Sequence, residues 1–230
     1  MALTKVDKTL LETTSGTASA STFLRGDGTW NAPASGGFTS IQFITSGHWT
    51  RPAGVTKVVV TLVGAGGGGG AGNPPTYWGG AGGGGGVMRC ILDVSSISSS
   101  TLVIGGGGTA GGGGGGDTTW TDGTNTLTAT GGAGAAGAGG SWHGAGGAGG
   151  VPVVTAGSPA SQLLLTGGKG TTGSAGGSTP GIPLLGLGWT PYDYGNSANQ
   201  VPTGYGVAGY GRLSGSTAGT DGIVIVEEYK

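Results

Sequence analysis

Residues 131–150 read GGAGAAGAGGSWHGAGGAGG. Taken in threes, Gly131, Gly134, Gly137 and Gly140 form one column, and the other two columns hold only Gly, Ala and Ser. The phase slips at Trp142 and His143, and Gly144, Gly147 and Gly150 then restore the column. Three residues per turn is the period of the polyproline II helix, which makes no internal hydrogen bonds. Its peptide groups must find partners elsewhere. A column without side chains lets neighbouring backbones come close, as at the crowded axis of collagen. Collagen itself is excluded, because the repeat is short, interrupted and poor in proline.

The same period recurs. Gly167, Gly170, Gly173 and Gly176 form a column. In 64–72 two columns are pure glycine, while Ala65 and Ala71 share the third. Residues 79–86 interrupt glycine only at Ala81, and 105–108 and 111–116 are glycine throughout. We expect several polyglycine helices of polyproline II form, lying side by side and hydrogen-bonding one another. Gly137 stands for the crowded column in this scheme, where any added side chain would have no room. The competing interpretation is a set of flexible linkers, since glycine costs the most backbone entropy to order; composition leaves it open.

Of 230 residues, 61 are glycine and 8% are charged, against the usual ~25% charged. Disordered chains are typically rich in charge and poor in apolar residues, and this chain keeps clear apolar runs. A net charge of -1 gives no electrostatic footprint for nucleic acid. No apolar run reaches the ~18 residues of a membrane span, and no basic start leads into an apolar core as in a secretion signal. The single Cys90 cannot form an intrachain disulfide and is expected in the core. Synthesis in a cytosol, with no membrane insertion and no nucleic-acid partner, is the expectation.

Strands are expected at 38–44, 58–63, 87–94, 101–104, 162–166 and 223–229, with a turn at 46–48. In 87–94 the alternation puts Met88, Cys90, Leu92 and Val94 on one face and Arg89 and Asp93 on the other. Asp122-Gly123 between β-rich flanks predicts a hairpin within 117–130. The expected fold is therefore mainly β: a small antiparallel core whose connections are packed polyglycine II helices. A short N-terminal helix over 1–12 (MALTKVDKTLLE) is the one helical candidate. Residues 1–36 are expected to be a separate N-terminal segment, with Leu3, Val6, Leu10, Phe23, Leu24 and Trp30 its candidate attachment or oligomerisation residues; Phe23, Leu24 and Trp30 are too apolar for a free tail. Residues 37–230 are expected to form a glycine-rich domain.

Polyglycine helices carry no side chains for recognition, so recognition falls to the segments between them. Three of these are aromatic and polar: 73–78, 141–143 and 188–200, the last continuing to Tyr205 and Tyr210. Tyr, Trp, Ser, Gly and Asn are the residues favoured in antibody loops, where they combine rigid contact area with adaptable hydrogen bonding. Flat rings also stack on sugar faces. Candidate receptor-binding residues are Tyr77, Trp78, Trp142, His143, Trp189, Tyr192, Asp193, Tyr194 and Tyr205. The alternative for each is a ring that plugs the end of the bundle.

Residues 17–30 (TASASTFLRGDGTW) and the start MALTKVDKTLLE resemble segments of tailed-bacteriophage tail fibre proteins. Residues 46–58 (SGHWTRPAGVTKV), 63–67 (VGAGG) and 219–227 (GTDGIVIVE) resemble the opening and closing parts of the phage glycine-rich domain. The resemblance implies a receptor-binding tip in the virion tail, with polyglycine helices carrying variable loops. It implies a homotrimer, other tail or baseplate proteins as partners of the N-terminus, and a bacterial surface glycan or outer-membrane protein as receptor. Contact residues differ between members of that family, so the candidate residues above rest on their chemistry alone.

Catalysis is not expected. His48 and His143 are far apart in sequence, no Cys/His cluster has metal-ligand spacing, and Asp122 is accounted for by turn chemistry. Residues 167–172 (GGKGTT) have the wrong order for a phosphate-binding loop. No cofactor and no metal are expected. The rival to adhesion is a non-adhesive structural or ice-binding protein, whose ice face would need long regular rows of Thr or Ala.

Overall fold

The fold comes from a computed structural model that describes residues 23–24, 30–31, 36–45, 47–140, 142–173, 181, 188–189 and 202–230. The expected N-terminal helix and the side chains of Leu3, Val6, Leu10, Phe23, Leu24 and Trp30 lie outside the described residues. The chain divides into two compact units, Thr39–Tyr229 and Met1–Phe38 with Lys230. In the smaller unit, β1 (Phe23–Leu24) pairs antiparallel with β2 (Trp30–Asn31).

The strands of the larger unit are mainly those the sequence predicts. They are β3 (Phe38–Ile44), β4 (Gly47–Thr50), β5 (Lys57–Val63), β6 (Val87–Asp93), β7 (Ser99–Val103), β8 (Thr118–Thr121), β9 (Thr126–Ala129), β10 (Pro152–Ala156), β11 (Ser161–Leu165), β12 (Gly188–Trp189), β13 (Thr203–Gly204) and β14 (Ile223–Tyr229). No helix occurs among the described residues. Two readings are corrected. The turn expected at 46–48 gives way to β4, because Trp49 on that strand buries its indole. Residues 152–156, with no strand predicted, pair with β9 as β10.

The β-core is two five-stranded sheets, ordered β10-β9-β8-β7-β4 and β11-β6-β5-β14-β3. Alternation aims Val58, Val60, Leu62, Met88, Cys90, Leu92, Val224 and Val226 from one sheet at Trp49, Leu102, Trp120, Leu127 and Ala129 from the other, all within one buried cluster. Trp49 and Trp120 meet with ring centroids 5.4 Å apart. Burial pushes the Cys90 thiol up to about 11, so it is inert packing. Glu228 is buried where β3 and β4 approach, and accepts hydrogen bonds from the Ser40 hydroxyl, from Gln42 Nε2 (2.7 Å) and from Trp49 Nε1 (2.7 Å). One carboxylate thus ties strands from both sheets together. The predicted hairpin is β8–β9, with Gly123 at φ +87. Asp122 accepts from Trp120 Nε1 (2.9 Å), the Thr124 and Asn125 amides and the Asn125 side chain. Burial opposes its charge, but these bonds outweigh burial and hold the carboxyl below its ordinary 3.8.

From one end of the sheets the glycine tracts run outward and back. The period of three is the addressing scheme of their hydrogen bonds. Gly64, Gly67 and Gly70 donate to Gly86, Gly83 and Gly80; Ala65 and Gly68 donate to Gly116 and Gly113; Gly66 and Gly69 donate to Thr220 and Thr217. The carbonyls of 65, 68 and 71 accept from 132, 135 and 138, those of 66 and 69 from 108 and 111, and that of 67 from 209. Tract 64–72 therefore touches six neighbours. Tract 79–86 does the same: its amides reach 206–212, 130–136 and 168–171, and its carbonyls accept from 64–70, 144–150 and 181.

None of the glycines in 64–72, 79–86 or 131–140 has positive φ, so space rather than backbone conformation selects glycine there. A Cβ on Gly83 would sit 1.9 Å from the Ala148 carbonyl oxygen, and one on Gly134 1.9 Å from that of Gly112. Gly137 corrects the sequence reading. It is exposed, and its added Cβ meets just the Ala71 backbone, the oxygen at 3.2 Å and the nitrogen at 3.9 Å. The column is crowded near the sheets and opens at its far end.

Three outcomes follow for purified protein. Gly83→Ala destabilises by about 3 kcal/mol or more or prevents folding, whereas Gly137→Ala costs well under about 1 kcal/mol; denaturant melts of the pair check this. Glu228→Ala, leaving the buried Trp49 indole donor unmatched, costs at least about 2 kcal/mol in the same melts. The Asp122 carboxyl titrates below its unfolded value, so its contribution is present above about pH 4 and is lost as pH falls through the folded pKa. Asp122→Asn should therefore show a shallower loss of stability below about pH 4 in thermal scans across pH.

Candidate functional site

At the far end of the bundle, tracts reverse through short turns. Residues 73–77 close on themselves, with the Asn73 amide donating to the Tyr77 carbonyl (2.8 Å) and the Tyr77 amide to the Asn73 carbonyl (3.0 Å). Pro74 and Pro75 sit inside this loop and have no amide hydrogen to satisfy. Turn 139–143 is pinned by the Trp142 amide on the Gly139 carbonyl (3.4 Å). Turns 109–113 and 211–216 complete this end, and the Gly111 amide donates to Ser216 Oγ (2.8 Å) between them. Gly111 and Gly112 take φ +92 and +97 there, a conformation open to glycine without strain.

His143 joins the two aromatic loops. The Trp78 amide donates to His143 Nδ1 (3.0 Å), the Trp78 carbonyl accepts from the Gly144 amide (2.8 Å), and the Tyr77 and His143 rings meet edge to face, centroids 5.6 Å apart at 73°. A neutral imidazole has one donor and one acceptor nitrogen, so the proton sits on Nε2. Both loops lead into central or adjoining tracts, 79–86 and 144–150, which fixes their spacing. Trp142 projects from its short turn with 77% of its surface exposed, and the tracts on either side of it in sequence, 131–140 and 144–150, carry no side chain larger than alanine. Burying a ring of this size is worth several times RT. Trp142 is the most exposed of the large hydrophobic side chains among the described residues, ahead of Phe43 (64%) and Phe38 (60%), and a candidate contact.

Of the candidate residues, Tyr77, Trp78, Trp142 and His143 come together at this far end. Tyr205 does not: it is half-buried against Val63, Val87, Ile223 and Ile225, on the outer face of the second sheet. Trp189 belongs to β12, which pairs with β13 through Trp189↔Thr203, two residues before Tyr205. Nine residues of tract 64–72, at ~3.1 Å each, separate that end from the turns, so the expected aromatic surface is divided between two ends about 25 Å apart. Tyr192, Asp193 and Tyr194 lie outside the described residues. Tyr210 is buried. What the sequence did not reveal is the part of Asn73, whose backbone closes the loop that presents Tyr77; a polar residue just before Pro-Pro was the available signal.

A concavity of about 560 Å³ lies between Val103, Thr119, Asp117 and the glycines at 105–106 and 115–116. Its one carboxylate, Asp117, is engaged by the Gly131 amide (3.0 Å). Among the described residues no three His, Cys, Asp or Glu side chains gather as a metal site.

Fold and site together define a class: a β-sandwich bearing a hydrogen-bonded glycine bundle that presents rings at its end. No protein-family model and no curated protein matches the chain.

Proposed function

We propose that this protein is a receptor-binding tip of a bacteriophage tail fibre, attaching through the loops at the far end of its glycine bundle to a glycan or outer-membrane protein on the bacterial surface. The observation that carries this is Trp142, 77% exposed, on a turn locked to the neighbouring loop by His143. An enzyme would gather titratable groups in a cleft. Here the aromatic loops 73–78 and 139–143 contain no charged residue. Exposed aromatics on a rigid support are the usual energetic anchors of binding surfaces. The resemblance of both chain ends to tail fibre proteins supports the same assignment, and with it attachment to other tail proteins through residues 1–36 and assembly as a homotrimer.

Ice binding has one observation in its favour. The outer face of the first sheet aligns Thr101, Thr121 and Thr126 in one rank and Thr119 and Thr128 in the next. Ranks of three and two are too short for a lattice match, and Val103 and Val153 border the second. Thermal hysteresis would be the sign of this function.

Adsorption of the purified protein to a panel of bacterial strains tests the proposal. On a strain that binds the parent, Trp142→Ala should weaken adsorption about tenfold or more with an unchanged melting temperature. Trp189→Ala measures the share of the other end. Equal adsorption by the parent and Trp142→Ala would remove the far end from the receptor site.

A further inference from the structure

We propose that protonation of His143 unlocks the two aromatic loops, so that this end of the bundle is ordered at neutral pH and loosened in acid. The proposal concerns loop order; its consequence for adsorption rests on the receptor-binding reading above.

Among the described residues, the side-chain hydrogen bond between loop 73–78 and loop 139–143 is the Trp78 amide on His143 Nδ1. It requires the lone pair of that nitrogen. In imidazolium both ring nitrogens carry hydrogens, and an Nδ1–H would confront the Trp78 N–H, donor against donor. The ring must then turn away and give up its edge-to-face contact with Tyr77. Histidine is the side chain whose ordinary charge change falls within about pH 5–8.

Among described residues, the titratable or charged groups on the elements packed against this ring are Tyr77 on its own partner loop, Arg212 in turn 211–216 and Lys169 in tract 167–173. Turn 211–216 adjoins these loops through the Gly79 amide on the Arg212 carbonyl (3.2 Å), and tract 167–173 through the Gly173 amide on the Gly144 carbonyl (2.9 Å). Tracts 64–72 and 130–138 carry no charge. No carboxylate is present on any of them to hold an imidazolium in place. Among the described residues, protonation therefore breaks a contact and gains no carboxylate partner.

Nitrogen-15 NMR of the full chain between pH 8 and pH 5 tests this. At pH 8, His143 Nδ1 should resonate as an unprotonated, hydrogen-bonded nitrogen. As His143 titrates, the Trp78 and Tyr77 amide signals should move with the same midpoint, while signals from the sandwich core stay fixed. His143→Gln keeps an acceptor oxygen and does not titrate, so its Trp78 amide should be insensitive to pH. A proton on Nδ1 at pH 8, a Trp78 amide that ignores the His143 titration, or an equal shift in His143→Gln would overturn the lock. Adsorption of the parent should be about threefold to tenfold weaker at pH 5 than at pH 8, the worth of about one hydrogen bond, and His143→Gln should lose this dependence. Loops that unlock in acid while adsorption stays constant would count against the receptor site, not against the lock.

Discussion

The bundle exists because peptide groups freed of side chains can approach from six directions at once. In 64–72 and 79–86 every amide from 64 to 70 and from 79 to 86 donates to another tract. With three residues per turn, successive amides point about 120° apart, so three accepting neighbours and three donating ones surround each central tract. That geometry forbids a Cβ wherever two backbones touch, as at Gly83, and permits one where a neighbour is missing, as at Gly137.

Such a lattice does not stand alone energetically. Ordering each residue costs about 1–2 kcal/mol of backbone entropy, while a hydrogen bond returns a net 0.5–1.5 kcal/mol or so. The tracts bury few side chains to make up the difference. The sandwich supplies it, with each buried Val, Leu or Met contributing about 1.5–3 kcal/mol. β5 leads directly into 64–72, and 79–86 leads directly into β6, so the best-packed strands clamp both ends of the central pair. The antiparallel register of β5 and β6, Val63↔Val87, continues as the Gly64–Gly86 bond. Sheet register thus sets bundle register.

Function follows from the division of labour between these layers. A rack without side chains is rigid and chemically blank, which leaves its turns free to carry rings such as Trp142 without disturbing the fold. Bonding the Trp78 backbone to the Gly144 amide and the His143 imidazole joins 73–78 to 139–143, and the proposed lock ties that junction to a proton.

The three-residue period, the strands and the Asp122-Gly123 hairpin were legible in the sequence, because each reflects local geometry: a column repeat, an alternation of apolar positions, a turn residue. So was the inward placement of Met88, Cys90 and Leu92. The sequence could equally name aromatic excursions as candidate contacts, since rings amid glycine have few places to bury. It could not say which tract lies beside which, because a glycine column addresses a neighbour without identifying it. For the same reason it could not separate Trp142, mounted at the far turns, from Tyr205, set against Val63 and Ile223 near the sheets. Both are rings in glycine-rich stretches, and only the point at which the chain turns back decides whether such a ring faces water or a core. The pairing of His143 with Trp78, 65 residues apart, was likewise decided by the bundle, which brings the entrances of two tracts to adjoining lattice positions.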